Sequence, residues 1–194
     1  MNIGIYIYDQ AEVLDFSGPF EVFSTAARIC TDGTPFTPFL VSQTGETVTA
    51  RGGYKVIPDY GFHNHPLIDV PIIVGGVHIA EMLKPPVVNW ITEQANTAKL
   101  MASVCTGAFL LAAAQVITTE SVTTHWEDIA DLRQQYPNLN VRENIRWVDA
   151  GRVITSGGIS AGIDMSLYLV SRLGGQALAE QTAKQMEFDW TGAS

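Results

Sequence analysis

Lys99-Leu-Met-Ala-Ser-Val-Cys105-Thr-Gly-Ala-Phe-Leu-Leu-Ala-Ala-Ala114 is the stretch that decides how this chain is read. Leu100 to Val104 is a short apolar run of the kind shown by a strand buried on both faces. It passes directly into a segment of Ala and Leu, which are strong helix formers. The turn falls at Cys105–Gly107, with no room for an ordinary loop. A side chain on so sharp a strand-to-helix turn is held out at the top of the sheet, the nucleophile-elbow arrangement. Here that side chain is a thiol, and the helix behind it begins with partial positive charge. A free thiol of pKa about 8.5 is roughly 3% thiolate at pH 7, and a pKa lowered to about 6 makes it about 90% thiolate. The stretch therefore predicts a nucleophilic Cys105 with a depressed pKa. A packed structural cysteine is the competing reading, because cysteine is among the residues most often buried.

Working outward, the neighbouring segments repeat the pattern of apolar strand, glycine turn and helix. Asn2 to Tyr8 reads as a first strand. Leu14-Asp15-Phe16-Ser17-Gly18-Pro19 reads as a loop becoming a helix, with Pro19 at the first helical position. Asp15, an acid between two apolar residues, is either a helix cap or a site group. Thr37–Ser42 is a second strand. Glu46–Ala50 and Tyr54–Ile57 form a hairpin around Arg51-Gly52-Gly53. Asp69–Val74 is a strand ended by Gly75-Gly76, where the backbone can approach a ligand or simply turn. A helix follows over Pro86–Ala95. Thr124 and Glu127 have the spacing of a capping box opening a helix to about Tyr136. Val141–Val148 and Arg152–Thr155 read as strands around Asp149-Ala150-Gly151. Ser156-Gly157-Gly158-Ile159 is a second glycine-rich turn, leading into a helix over Ile163–Leu173 and then a last one over Gln176–Met186. This order of elements predicts an α/β doubly wound sheet, with ligands bound outside the carboxyl ends of the strands. Asp15, Gly75, Gly76, Cys105, Thr106, Gly158 and Ile159 all follow strands and should gather at one edge.

The whole chain narrows the function. Its 194 residues suit one domain, spanning 1–194, able to bury a sizeable core. A net charge of −9 argues against a nucleic-acid surface and fits a partner that is a small, uncharged or weakly polar molecule. Cys30 and Cys105 are too few for a disulfide framework, so a reducing, cytoplasmic setting is expected. No signal peptide or membrane-spanning run is seen. His63 and His65 invite a metal reading, but no third ligand stands at ligand spacing, so no metal is expected. His125, at a helix start, either reaches a site or, as is commoner there, is structural.

Ser103-Val-Cys-Thr-Gly-Ala-Phe-Leu-Leu-Ala112, Thr123-Thr-His-Trp126 and Ile154-Thr-Ser-Gly-Gly-Ile-Ser-Ala-Gly-Ile-Asp164 together resemble the ThiJ/PfpI superfamily, a flavodoxin-like group related to class I glutamine amidotransferases. Leu14-Asp15-Phe16-Ser17-Gly18-Pro19, Cys105-Thr106-Gly107 and Gly157-Gly158-Ile159 are most similar to its isocyanide hydratase branch. The same motifs recur in sensor domains of AraC-type regulators, whose helix-turn-helix module has no counterpart before Ser194. Thr106 stands where many members have His after the cysteine, and Asp15 where many have Glu. The resemblance implies a Cys105 nucleophile, Asp15 as proton carrier and Thr106 as a positioning hydroxyl. Backbone N–H groups of Gly75, Gly76, Gly158 and Ile159 would steady charge, with no cofactor, in a homodimer. Two alternatives follow from it: a redox or small-molecule sensor, and a glyoxalase- or deglycase-like enzyme.

Overall fold

The computed structural model describes residues 1–31, 36–190 and 192. Six strands make the central sheet: β1 (Asn2–Tyr6), β2 (Thr37–Val41), β5 (Val70–Ile73), β6 (Met101–Val104), β9 (Trp147–Asp149) and β10 (Val153–Ser156), in the order β2-β1-β5-β6-β10-β9. All neighbours pair in parallel except β9, which runs antiparallel to β10. Ile3, Ile5, Ile72, Ile73, Ala102, Val104 and Ile154 are fully enclosed, as an α/β sheet covered on both faces requires. The fold is the expected flavodoxin-like one, with helices around a mostly parallel sheet. α1 (Val13–Ile29), α5 (Ala161–Gly174) and α6 (Gln176–Gln185) pack on one another, while α2 (Pro85–Thr97) contacts α3 (Gly107–Ala113).

Two small sheets lie outside this frame. β3 (Val48–Thr49) and β4 (Lys55–Val56) form the expected hairpin around Arg51–Gly53. β7 (Ser121–Val122) pairs in parallel with β8 (Asn140–Val141), and α4 (Ile129–Gln135) lies between them in sequence. The single strand expected over Val141–Val148 is therefore two strands in different sheets. Asn144 breaks it with a φ of +58°, a left-handed conformation that Asn tolerates and β-structure does not.

A second correction concerns α1. It starts at Val13, six residues before Pro19, so proline lies inside the helix. The amide that Pro19 lacks would have bonded the carbonyl of Asp15 four residues back. Asp15 is thus a first-turn residue rather than a cap, and Glu12 holds the cap position. The helix beginning at Pro85 agrees with the sequence reading to within two residues.

Candidate active site

Cys105 directly follows β6, with a φ of +56°. A residue carrying a Cβ adopts that left-handed conformation at a cost of roughly 1–2 kcal/mol, so the surroundings must hold it. They do so at several points. Its amide donates to the Ser156 carbonyl at 3.1 Å, extending the β6–β10 ladder. Its carbonyl accepts from Thr124 Oγ1 at 2.9 Å. Gly75 and Gly158 close in from either side: an added Cβ on Gly75 would lie 2.8 Å from Cys105 Cβ, and one on Gly158 would lie 2.8 Å from Cys105 Sγ. Thr124 was expected to cap a helix with Glu127. The turn it precedes has no side-chain cap, and the hydroxyl instead braces the elbow. Its partner is a carbonyl 19 residues away, which no local spacing could reveal.

Asp15 is completely enclosed, and its Oδ2 accepts from the Gly75 amide at 3.0 Å. Its Oδ1 is buried without a hydrogen bond of ordinary geometry. Burial pushes this carboxyl up to about 7, against the opposing pull of the Gly75 amide. The Cys105 thiol is pushed up as well, first by burial and then by the negative charge of Asp15. The Thr106 amide pulls the other way and is outweighed. This reverses the depressed thiol expected from a helix N-terminus. α3 has seven residues, and its end partial charge does not offset the desolvation of a thiol beside a carboxylate. At neutral pH the resting pair is therefore a thiol next to a carboxyl group close to its own midpoint.

Thr106 is buried beside them, its Oγ1 accepting from the Gly76 amide at 3.0 Å and lying 3.1 Å from the Gly76 carbonyl as donor. The four expected backbone donors therefore divide into two pairs. The amides of Gly75 and Gly76 are engaged in holding Asp15 and Thr106. Those of Gly158 and Ile159 have no acceptor among the described residues and remain available to a ligand. Gly158 lies against the thiol, and Ile159 is a half-exposed wall of the cleft.

Cys105 opens into a cleft of about 640 Å³ between the loop after β5 and the turn after β10. Val77, Ile79 and Ile159 give it apolar walls, and Glu12, Arg51, Glu127 and Asp128 stand around it. His125 also lines it: Nε2 lies 3.4 Å from Glu127 Oε2, and Nδ1 is buried without a partner near Gly158. His78 lies against Phe109, ring centroids 4.4 Å apart, and its burial lowers its pKa. Among the described residues no three His, Cys, Asp or Glu side chains cluster as metal ligands. His65 accepts from Trp90 Nε1 at 2.9 Å, far from this cleft in its contacts.

The elbow cysteine and the buried acid thus meet at the carboxyl ends of the parallel strands. Residues 1–172 match the DJ-1/PfpI family. The chain belongs to that family. It is 30% identical over 189 residues to isonitrile hydratase of Pseudomonas putida, covering 97% of this chain and 78% of that one. It is also 30% identical over 149 residues to the HTH-type transcriptional regulator GbdR of Pseudomonas aeruginosa, but spans 40% of that protein's length. A ThiJ/PfpI family protein from Pseudomonas syringae superposes with a TM-score of 0.86 at 25% identity, over 97% of this chain and 75% of that one. Drosophila melanogaster DJ-1beta shares the fold, with a TM-score of 0.82 over 97% of this chain and 98% of that one, at 19% identity. DJ-1/PfpI relatives thus include both enzymes and regulators. No helix among the described residues is long and apolar enough to cross a membrane.

Proposed function

We propose that this DJ-1/PfpI protein is a cysteine-dependent hydratase that converts an isocyanide to its N-substituted formamide. The observation that supports this most is Asp15: a fully enclosed carboxyl, held near neutrality, coupled to a thiol at the foot of an open cleft. An isocyanide carbon must receive both a nucleophile and a proton, and a thiol beside a half-ionised acid supplies the two together. In the first step Asp15 takes the Cys105 proton as sulfur bonds to the isocyanide carbon, and returns it to that carbon. The product is a thioimidate, R–N=CH–S–Cys105. Asp15, again a carboxylate, then removes a proton from water as its oxygen adds to the same carbon, and passes that proton to nitrogen. Asp15 takes the remaining hydroxyl proton as the C–S bond cleaves and R–NH–CHO leaves, and then returns it to the thiolate. Thr106 Oγ1 and the free amides of Gly158 and Ile159 position the water and its developing negative charge. Apolar Val77, Ile79 and Ile159 suit an alkyl or aryl substituent. The active form would be a homodimer, acting without a cofactor in the cytoplasm.

Purified protein should convert a simple alkyl isocyanide to its formamide, read by gas chromatography, with Cys105→Ala inactive and Asp15→Asn reduced by a factor of about 10² or more. Absence of turnover across alkyl and aryl isocyanides overturns the proposal. The identity with GbdR supports a second reading, a ligand-responsive sensor. That reading requires binding of a partner that changes when Cys105 is oxidised or the cleft is filled.

A further inference from the structure

Within electrostatic reach of the nucleophile lies a buried polar group with no role in the scheme above. Tyr8 follows β1 and is 4% exposed. Its hydroxyl is enclosed without a hydrogen bond of ordinary geometry, although the side chain lies beside Thr106. The adjacent Tyr6 differs. Its ring lies 5.8 Å from that of Tyr8, but its hydroxyl donates to Glu81 Oε1. The other oxygen of Glu81 accepts from Lys84 Nζ at 2.7 Å. Both Glu81 oxygens thus have donors, and the Tyr8 hydroxyl is not held by this carboxylate. Tyr8 is within electrostatic reach of Asp15 and Cys105. Asp15 Oδ1 is itself buried and, among the described residues, lacks a donor of ordinary geometry, although the Cys105 thiol interacts with this carboxyl. A donor and an acceptor, neither with a hydrogen bond of ordinary geometry among the described residues, therefore lie within electrostatic reach of one another.

We infer that Tyr8 is a positioning residue of this site: its hydroxyl is the hydrogen-bond donor for Asp15 Oδ1 when Asp15 ionises, and it holds that carboxyl ready to accept the Cys105 proton. Phenylalanine would fill the same space, so packing alone does not call for the hydroxyl. Burial and the negative charge of Glu81 keep the phenol protonated, so it donates at every working pH. The charged and titratable groups acting on the pair are Glu12 and Cys105 on Asp15, Asp128 on Cys105, and Glu81 on Tyr8.

This inference rests on Asp15 as the acid of the site, and its test does not depend on turnover. The side-chain carboxyl of Asp15 is titrated by ¹³C NMR in protein labelled at aspartate, with Asp15→Asn identifying the resonance. Tyr8→Phe should raise the midpoint by about one pH unit, as loss of a hydrogen bond to a buried charge implies. Iodoacetamide alkylation of Cys105 should show the same shift in its midpoint, and Tyr8→Phe should leave the alkylation profile unchanged in an Asp15→Asn background. Coincident Asp15 titrations in Tyr8→Phe and the parent overturn the inference, as does an equal alkylation shift in both backgrounds. Failure of isocyanide turnover bears on the hydratase reading and leaves these titrations intact.

Discussion

Asp15 shows how a single residue couples the site to stability. Its carboxyl moves from 3.8 to about 7 on folding, because burial disfavours the charged form more than the Gly75 amide favours it. Between those values the folded chain keeps a proton that the unfolded chain has lost. The contribution of Asp15 to stability is therefore fullest below about pH 4 and falls as pH rises toward 7. Three pKa units correspond to about 4 kcal/mol, an upper limit for a group that can recruit partners when it ionises. Asp15→Asn cannot ionise. It should be more stable than the parent by about 2–4 kcal/mol at pH 8 and nearly equal at pH 4, measured by urea unfolding. Gly158 makes a steric counterpart. Its missing side chain leaves room for Sγ of Cys105 and Nδ1 of His125, which an added Cβ would approach to 2.8 and 2.6 Å. Gly158→Ala should slow Cys105 alkylation at least about tenfold while changing stability by no more than about 1 kcal/mol, because the atoms displaced are side-chain ends.

At the scale of elements, the elbow depends on hydrogen bonds from segments that are distant in sequence. β10 continues its ladder onto the Cys105 amide, and the segment after β7 supplies Thr124 to its carbonyl. Thr124→Val leaves that buried carbonyl without its donor, which should cost about 1–3 kcal/mol in urea unfolding. It should also slow Cys105 alkylation, with Thr124→Ser restoring both. The sequence was legible here wherever a pattern was local. The strand ending at Val104, the hairpin around Arg51–Gly53 and α2 with its leading prolines all appear where their residues place them. The start of α1 was not legible, because Pro19 favours a first-turn position in any short window. The apolar contacts of Phe16, buried with Val22 and Phe23, extend the helix back through Val13 against that local preference. The capping box failed for a related reason: a tertiary acceptor, the Cys105 carbonyl, competes for the Thr124 hydroxyl.

For the whole molecule, charge and topology act together. A chain of net charge −9 places Glu12, Glu127 and Asp128 around the cleft, with Arg51 ion-paired to Glu12 at 3.5 Å. Under the proposed activity, an isocyanide bearing a carboxylate should show a KM several-fold above that of its methyl ester. The gap should narrow between about 10 mM and 150 mM salt, as screening shortens from about 30 Å to 8 Å. Equal KM values at low salt would show that the cleft charge is not felt by the substrate.

The sequence by itself determined the alternation of apolar strands and helices, the elbow at Cys105 and the edge where the site residues collect. These follow from periodicity, glycine placement and the rule that ligands meet a parallel sheet at its carboxyl ends. Only the tertiary structure decided the electrostatics. Whether Cys105 is lowered by a short helix or raised by burial and Asp15 depends on distances and solvent access, which strand order leaves open. The same holds for which amides are engaged and which are free, and for the buried Tyr8 hydroxyl within electrostatic reach of the nucleophile. Burial sets the strength of each charge, and burial is a property of the packed whole.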